Sequence, residues 1–111
     1  MKNTLSIKDN CIFRAVYRHG KSVSADTMAV YALKDRTKTV SRLGLTVSVK
    51  LGCAVERNRM RRRLREAYRL LEDSIAKGFC VVIVARHKSL DADFAKIMSD
   101  LSFCLRKLGL L

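Results

Sequence analysis

Seven arginines stand within thirteen residues of this chain: Arg57, Arg59, Arg61, Arg62, Arg63, Arg65 and Arg69, with Glu66 the only acid between them. A guanidinium is planar and permanently charged, presents a fork of N–H donors that fits a phosphate, and stacks on exposed bases. The chemistry on offer is therefore the gripping of polyanions. A solvated helix face mixes Glu with Lys, whereas this run stacks like charges at i,i+4, which costs an isolated helix a few tenths of a kcal/mol per pair. A second set combines stacking platforms with hydrogen-bonding groups. Phe13 and Tyr17 are four residues apart, and Thr46, Ser48 and Lys50 alternate with apolar residues. Single-stranded nucleic acid asks for that combination, with about 1–3 kcal/mol per stacked base. Plain core packing is the other reading open to Phe13 and Tyr17.

Groups for bond cleavage are scattered. A metal-dependent nuclease needs clustered carboxylates or a placed His. Here Asp91 and Asp93 suit the first turn of a helix, Glu72 and Asp73 lie near the end of the arginine run, and His87 stands alone. Cys11, Cys53, Cys80 and Cys104 are far apart, and neither His19 nor His87 has ligand spacing to them, so buried free thiols in a reducing cytosol are expected and no metal site.

Composition points the same way. The chain has 111 residues, expected as one domain over 1–111, with 23 Lys plus Arg against 10 Asp plus Glu and a net charge of +13. Such a field draws nucleic acid or anionic membrane. An interfacial helix needs a broad apolar face, and a membrane span needs about 20 apolar residues. Neither occurs, and residues 1–8 hold no apolar core of a secretory segment, so a cytoplasmic protein with no membrane partner is expected.

The elements that must position these groups follow from periodicity. Residues 6–18 read as a helix with Ser6 and Asp9 as its capping box and Gly20 as its stop. Residues 28–33 read as a strand, followed by a charged turn over 34–39. Leu43, Leu45, Val47 and Val49 alternate with Gly44, Thr46, Ser48 and Lys50 as a second strand with one polar face. A helix over 54–76 packs by Met60, Leu64, Ala67 and Leu71, with Tyr68 at the margin, and turns Asn58, Arg61, Arg62, Arg65 and Arg69 to another side. The unbroken apolar run 79–85 suits a strand covered on both faces. Ser89 caps a last helix to Leu108 with the stripe Phe94, Ile97, Met98, Leu101, Cys104, Leu105 and Leu108. The expected fold is an α/β (α+β) sandwich on a small mixed sheet, in the order α-β-β-α-β-α.

The stretch 42–65, RLGLTVSVKLGCAVERNRMRRRLR, resembles the bacterial ribonuclease P protein subunit, whose motif is the Arg57-Asn58-Arg59 run. The preceding frame of Gly44, Val47, Ser48, Lys50, Gly52, Ala54 and Val55 matches it. So do Phe13-x-x-Val16-Tyr17-x-x-Gly20 and the apolar strand ending in Ala85-Arg86. The resemblance implies a ribonucleoprotein endoribonuclease that removes 5′ leaders from precursor tRNA, with hydrolysis by an RNA subunit and Mg2+ and the protein alone inactive. It implies that Arg57, Asn58, Arg59, Arg61, Arg62 and Arg65 face the catalytic RNA. Phe13, Tyr17, Tyr31, Ser48 and Lys50 would hold the leader in a separate cleft, and Thr46 joins them by alternation. It also implies a left-handed crossover through the arginine helix, against the usual hand, and no obligate protein partner. The family usually has a basic residue at Val49, which the alternation turns to the apolar side, and often asparagine at Cys53. A non-enzymatic basic RNA-binding module, ribosomal-protein-like or an RNA chaperone, is the alternative that composition leaves open.

Overall fold

The apolar run Phe79–Ala85 sits at the centre of the sheet, where both of its faces are covered, as an uninterrupted β-branched segment demands. The computed structural model describes residues 4–7, 9–34 and 41–111. Their elements are β1 (Thr4–Ser6), α1 (Asn10–His19), β2 (Lys21–Ser24), β3 (Met28–Lys34), β4 (Ser41–Thr46), α2 (Ala54–Leu71), β5 (Phe79–Ala85) and α3 (Phe94–Leu108). The sheet order is β1-β4-β5-β3-β2. β1, β4 and β5 are parallel, while β3 runs antiparallel to both β5 and β2.

The expected mixed α+β architecture is present, but the element order gains two strands, β1 and β2. Both are edge strands of three and four residues with exposed, polar surfaces, so neither carries a periodic signal. β1 is secured only by distant partners: it pairs with β4, and the Thr4 hydroxyl donates to the Glu72 carboxylate at 2.5 Å. Ser6 therefore ends β1 instead of opening α1. The cap is Asp9, whose carboxylate accepts the Cys11 N–H at 2.8 Å. α1 passes straight into β2 through Gly20, where a Cβ would come within 2.5 Å of the Val16 carbonyl oxygen and 2.8 Å of that of Ala32. Close backbone approach, not a left-handed turn, requires glycine there. α3 starts later than expected, at Phe94, because Asp93 caps it by accepting the Lys96 N–H at 2.8 Å. Ser89 is buried and its hydroxyl donates to the Arg86 carbonyl. The charged turn expected over 34–39 lies, after Lys34, outside the described residues.

One face of the sheet presents Met28, Val30, Leu43, Val81 and Ile83 to the buried sides of α2 and α3. The other presents Cys80 and Val82 to Ile7 and Val16, with Phe13 and Tyr31 packed around them. α2 buries Met60, Leu64, Ala67 and Tyr68, each at 2% exposure or less. Full burial of such a side chain contributes about 1.5–3 kcal/mol, far more than the few tenths lost to each like-charged pair. Tyr68 is in the core, not at the margin, and burial pushes its hydroxyl up to about 12 against a hydrogen bond with Thr4.

α3 is tied to the turn between β2 and β3 by a buried carboxylate. Asp100 accepts the Thr27 N–H at 3.1 Å and the Thr27 hydroxyl at 2.6 Å, and Lys96 reaches it at 3.2 Å and Asp26 at 3.4 Å. Burial pushes the Asp100 carboxyl up, but the Thr27 and Lys96 hydrogen bonds outweigh it and hold the group below its ordinary value.

Candidate nucleic-acid interface

The arginines of α2 divide into two groups by what they touch. The Arg63 guanidinium donates to the Ala92 carbonyl at 2.7 Å and locks α2 to the segment before α3. Arg69 forks onto Glu66, with Nε to Oε2 at 2.9 Å and a second bond to Oε1, and those bonds hold the Glu66 carboxyl below its ordinary value. These two are occupied within the fold. Asn58, Arg59, Arg62 and Arg65 are exposed, and Arg57 and Arg61 are half-buried. Among the described residues none of the five arginines in this second group has an acidic partner, and the buried Nε of Arg57 has no hydrogen-bond acceptor.

The helix starts at Cys53 without the usual polar cap, and Glu56 compensates. Its carboxylate accepts the Cys53 N–H at 3.3 Å, while the Arg57 N–H donates to the Cys53 carbonyl at 3.0 Å. The departure from asparagine at Cys53 is thereby covered by an acid three residues on.

On the opposite side of the sheet, four expected residues come together. The Tyr17 ring meets Tyr31 edge-on at 4.9 Å between centroids and lies 6.4 Å from Phe13. The Tyr17 and Thr46 hydroxyls are 2.8 Å apart. Gly44 makes room for this group: a Cβ there would sit 2.6 Å from the Phe13 ring. Phe13 and Tyr31 are half-buried, whereas Tyr17 is 40% exposed. Core packing and display are thus both served, by different rings of one cluster.

Ser48 and Lys50 do not share that sheet face. β4 ends at Thr46, and a 3-10 turn follows over Val49–Leu51 with Ser48 as its cap, its Oγ accepting the Lys50 N–H at 3.2 Å. The helical turn replaces the period of two, so Val47 and Leu51 are buried together and Val49 is 72% exposed instead of facing the core. Ser48 and Lys50 stand exposed on the link into α2.

The structure also joins what sequence reasoning kept apart. A cavity of about 290 Å3 is bordered by Phe13, Leu43 and Leu45 and by Arg61 and Arg65 of α2. One opening therefore meets both the aromatic cluster and the arginine helix. No sequence signal could show this, since α1 and α2 meet it from different layers.

Two of the four thiols depart from expectation: Cys11 and Cys53 are exposed, while Cys80 and Cys104 are buried. Burial and the Asp100 charge push the Cys104 thiol up to about 11. Among the described residues no three of His, Cys, Asp and Glu gather as a metal site, and no helix is long and apolar enough to cross a membrane.

A model of the family described as Ribonuclease P matches residues 1–109. The chain belongs to the ribonuclease P protein family. Its place is that of a ribonucleoprotein subunit in tRNA processing, within an endoribonuclease holoenzyme. The ribonuclease P protein component of Clostridium botulinum (strain Langeland) is 43% identical over 105 residues, 94% of each chain. That of Symbiobacterium thermophilum is 38% identical over 111 residues, all of this chain and 96% of the other. A mutant RNase P protein of Staphylococcus aureus superimposes with a TM-score of 0.88 at 30% identity, covering 96% of this chain and 89% of that one.

A net charge of +13 repels itself in the compact state. Added sulfate or phosphate should therefore raise the midpoint of thermal unfolding by occupying the free arginines of α2. A midpoint that sulfate and phosphate raise no more than chloride does would count against anion sites.

Proposed function

We propose that this chain is the cytoplasmic protein subunit of a ribonuclease P that removes 5′ leaders from precursor tRNA, and that it binds while the RNA subunit cuts. The cavity bordered by Phe13, Arg61 and Arg65 carries this reading, because it offers a stacking surface and phosphate-gripping forks to one nucleic-acid junction. Arg57, Asn58, Arg59, Arg61, Arg62 and Arg65 take phosphates of the catalytic RNA. Phe13, Tyr17, Tyr31 and Thr46 take the bases of the leader, and Ser48 and Lys50 meet its backbone where it passes toward α2. The residues described here do not fit a protein-held metal, since no carboxylate or histidine cluster is formed among them. In this reading the RNA holds the Mg2+ of the reaction, and this chain supplies position and charge. Guanidiniums already turned outward by the buried seam of α2 neutralise phosphates that the folded RNA brings together.

The test is reconstitution. Purified protein alone should cleave no precursor tRNA, yet it should raise cleavage by a bacterial ribonuclease P RNA at low magnesium. An RNA whose activity is unchanged by the protein would sink this reading and leave a general RNA-binding module. A finer prediction concerns the aromatic cluster. Phe13→Ala with Tyr17→Ala removes two stacking platforms, so the holoenzyme should lose about tenfold or more of its preference for substrates bearing a leader. Competition between leader-bearing precursor and mature tRNA measures that preference directly.

A further inference from the structure

We infer that Glu72 is a positioning residue: its bond to Thr4 holds β1 against α2 and so sets the width of the cavity at Arg61 and Arg65 in which RNA is seated. The inference rests on the reading above that this cavity receives RNA.

Glu72 follows the last residue of α2 and is 8% exposed, and its carboxylate accepts the Thr4 hydroxyl at 2.5 Å. The buried Tyr68 hydroxyl meets the same Thr4 side chain. Ser41, paired with Thr4 across β1 and β4, lines the same small hollow as Thr4, Tyr68 and Glu72. A buried carboxylate is a poor source of stability, because its desolvation offsets much of what its bonds return. What a carboxylate–hydroxyl bond does supply is a fixed direction and distance. β1 needs both, since it is an edge strand of three residues whose one large apolar side chain, Leu5, is 58% exposed.

The bond closes a frame with two legs. β1 and β5 both run parallel to β4, so the helix linking β4 to β5 runs back against all three. From the Thr4–Glu72 bond, β1 followed forwards and α2 followed backwards therefore lead the same way. Thr4 to Ile7 is three residues of extended chain, about 10 Å. Glu72 back to Arg65 is seven residues, also about 10 Å at about 1.5 Å each. Both legs end at one opening, which Ser6 and Ile7 border from the β1 side and Arg61 and Arg65 from α2. Ile7 is held there by its N–H, which donates to the Leu43 carbonyl at 2.9 Å. Glu72 itself does not line the opening. Its influence on bound RNA runs through the spacing of the two legs.

The experiment measures the Kd of the full chain for a ribonuclease P RNA, at a temperature where thermal melts show every variant folded. Thr4→Val removes the hydroxyl with little change of shape, and Thr4→Ser keeps it. Each is made in the wild-type chain and in the chain carrying Arg61→Ala with Arg65→Ala. Thr4→Val should weaken binding about three- to tenfold, while Thr4→Ser binds as wild type does. In the arginine-less background Thr4→Val should alter Kd by less than about twofold, because the groups it would misplace are gone. Amide exchange supplies a second readout: the Ile7 N–H should exchange faster in Thr4→Val while β5 stays protected. A wild-type Kd or a wild-type Ile7 exchange rate in Thr4→Val overturns the inference. So does an equal loss in both backgrounds, which marks a role in stability alone, or a Thr4→Ser chain as weak as Thr4→Val. If the arginine-less chain itself binds like wild type, it is the reading of the cavity as an RNA site that fails.

Discussion

On the function proposed above, replacing Arg61 and Arg65 together by Ala is expected to weaken binding of the ribonuclease P RNA about a hundredfold and to shrink the preference for leader-bearing substrate. Each guanidinium–phosphate bond is a charge-assisted one, contributing about 1.5–3 kcal/mol, and the lower figure suits Arg65, which is exposed. Two such bonds amount to about 3 kcal/mol, or about two decades in Kd. The salt dependence should report the same loss, with a slope shallower by about 1.8 if both contacts are to duplex phosphates. The effect on the leader follows from geometry, since both arginines border the cavity that Phe13 lines. Stability should not suffer. Neither residue has an acidic partner among those described, and removing two like charges from α2 relieves repulsion. Gel-shift titrations at graded salt, with a thermal melt as control, decide the matter. Weak RNA binding with undiminished leader preference would mean that the cavity does not join the two functions.

Asp100→Ala should cost about 3 kcal/mol of stability. The substitution strands the N–H and hydroxyl of Thr27, which is 1% exposed, and an unpaired buried donor costs about 1–3 kcal/mol. Against a total of about 5–15 kcal/mol for a domain, that is a large fraction. The pH dependence carries a distinct mark. The Asp100 carboxyl is held below its ordinary value of 3.8, so its contribution is fully present above that value and is lost as pH falls through the lower folded value. Unfolding free energies from urea titrations across the acid range should therefore fall less steeply for Asp100→Asn and Asp100→Ala than for wild type. Asn retains an acceptor for one Thr27 donor and should be the milder of the two. A variant with wild-type stability and an unchanged acid limb would show that α3 is held to the β2–β3 turn by apolar packing alone.

Much of this molecule is legible in neighbouring residues. The seam Met60, Leu64, Ala67 of α2, the stripe of α3 and the two-sided strand Phe79–Ala85 are patterns of period 3.6 or of unbroken apolarity, and burial in the fold follows them. The type and sign of the arginine run likewise named a polyanion before any geometry was known. Where two local rules compete, sequence alone misleads. Alternation through Leu43, Leu45 and Val47 predicted a strand to Lys50, but Ser48 caps a turn and Val49 ends up outside. β1 and β2 are too short and polar to show a periodicity, and while β2 pairs with its neighbour β3 in a hairpin, β1 is held by β4, far away in the chain.

The sequence by itself determined the helices, the central strand, the charge and the family to which the chain belongs. Only tertiary structure decided which arginines are free, since Arg63 is taken by the Ala92 carbonyl and Arg69 by Glu66. It alone brought Phe13 to the cavity of Arg61 and Arg65, and Thr4 to the carboxylate of Glu72. Periodicity and charge are properties of residues close in the chain, whereas a cavity is a property of surfaces that meet only after each element has buried its own apolar side.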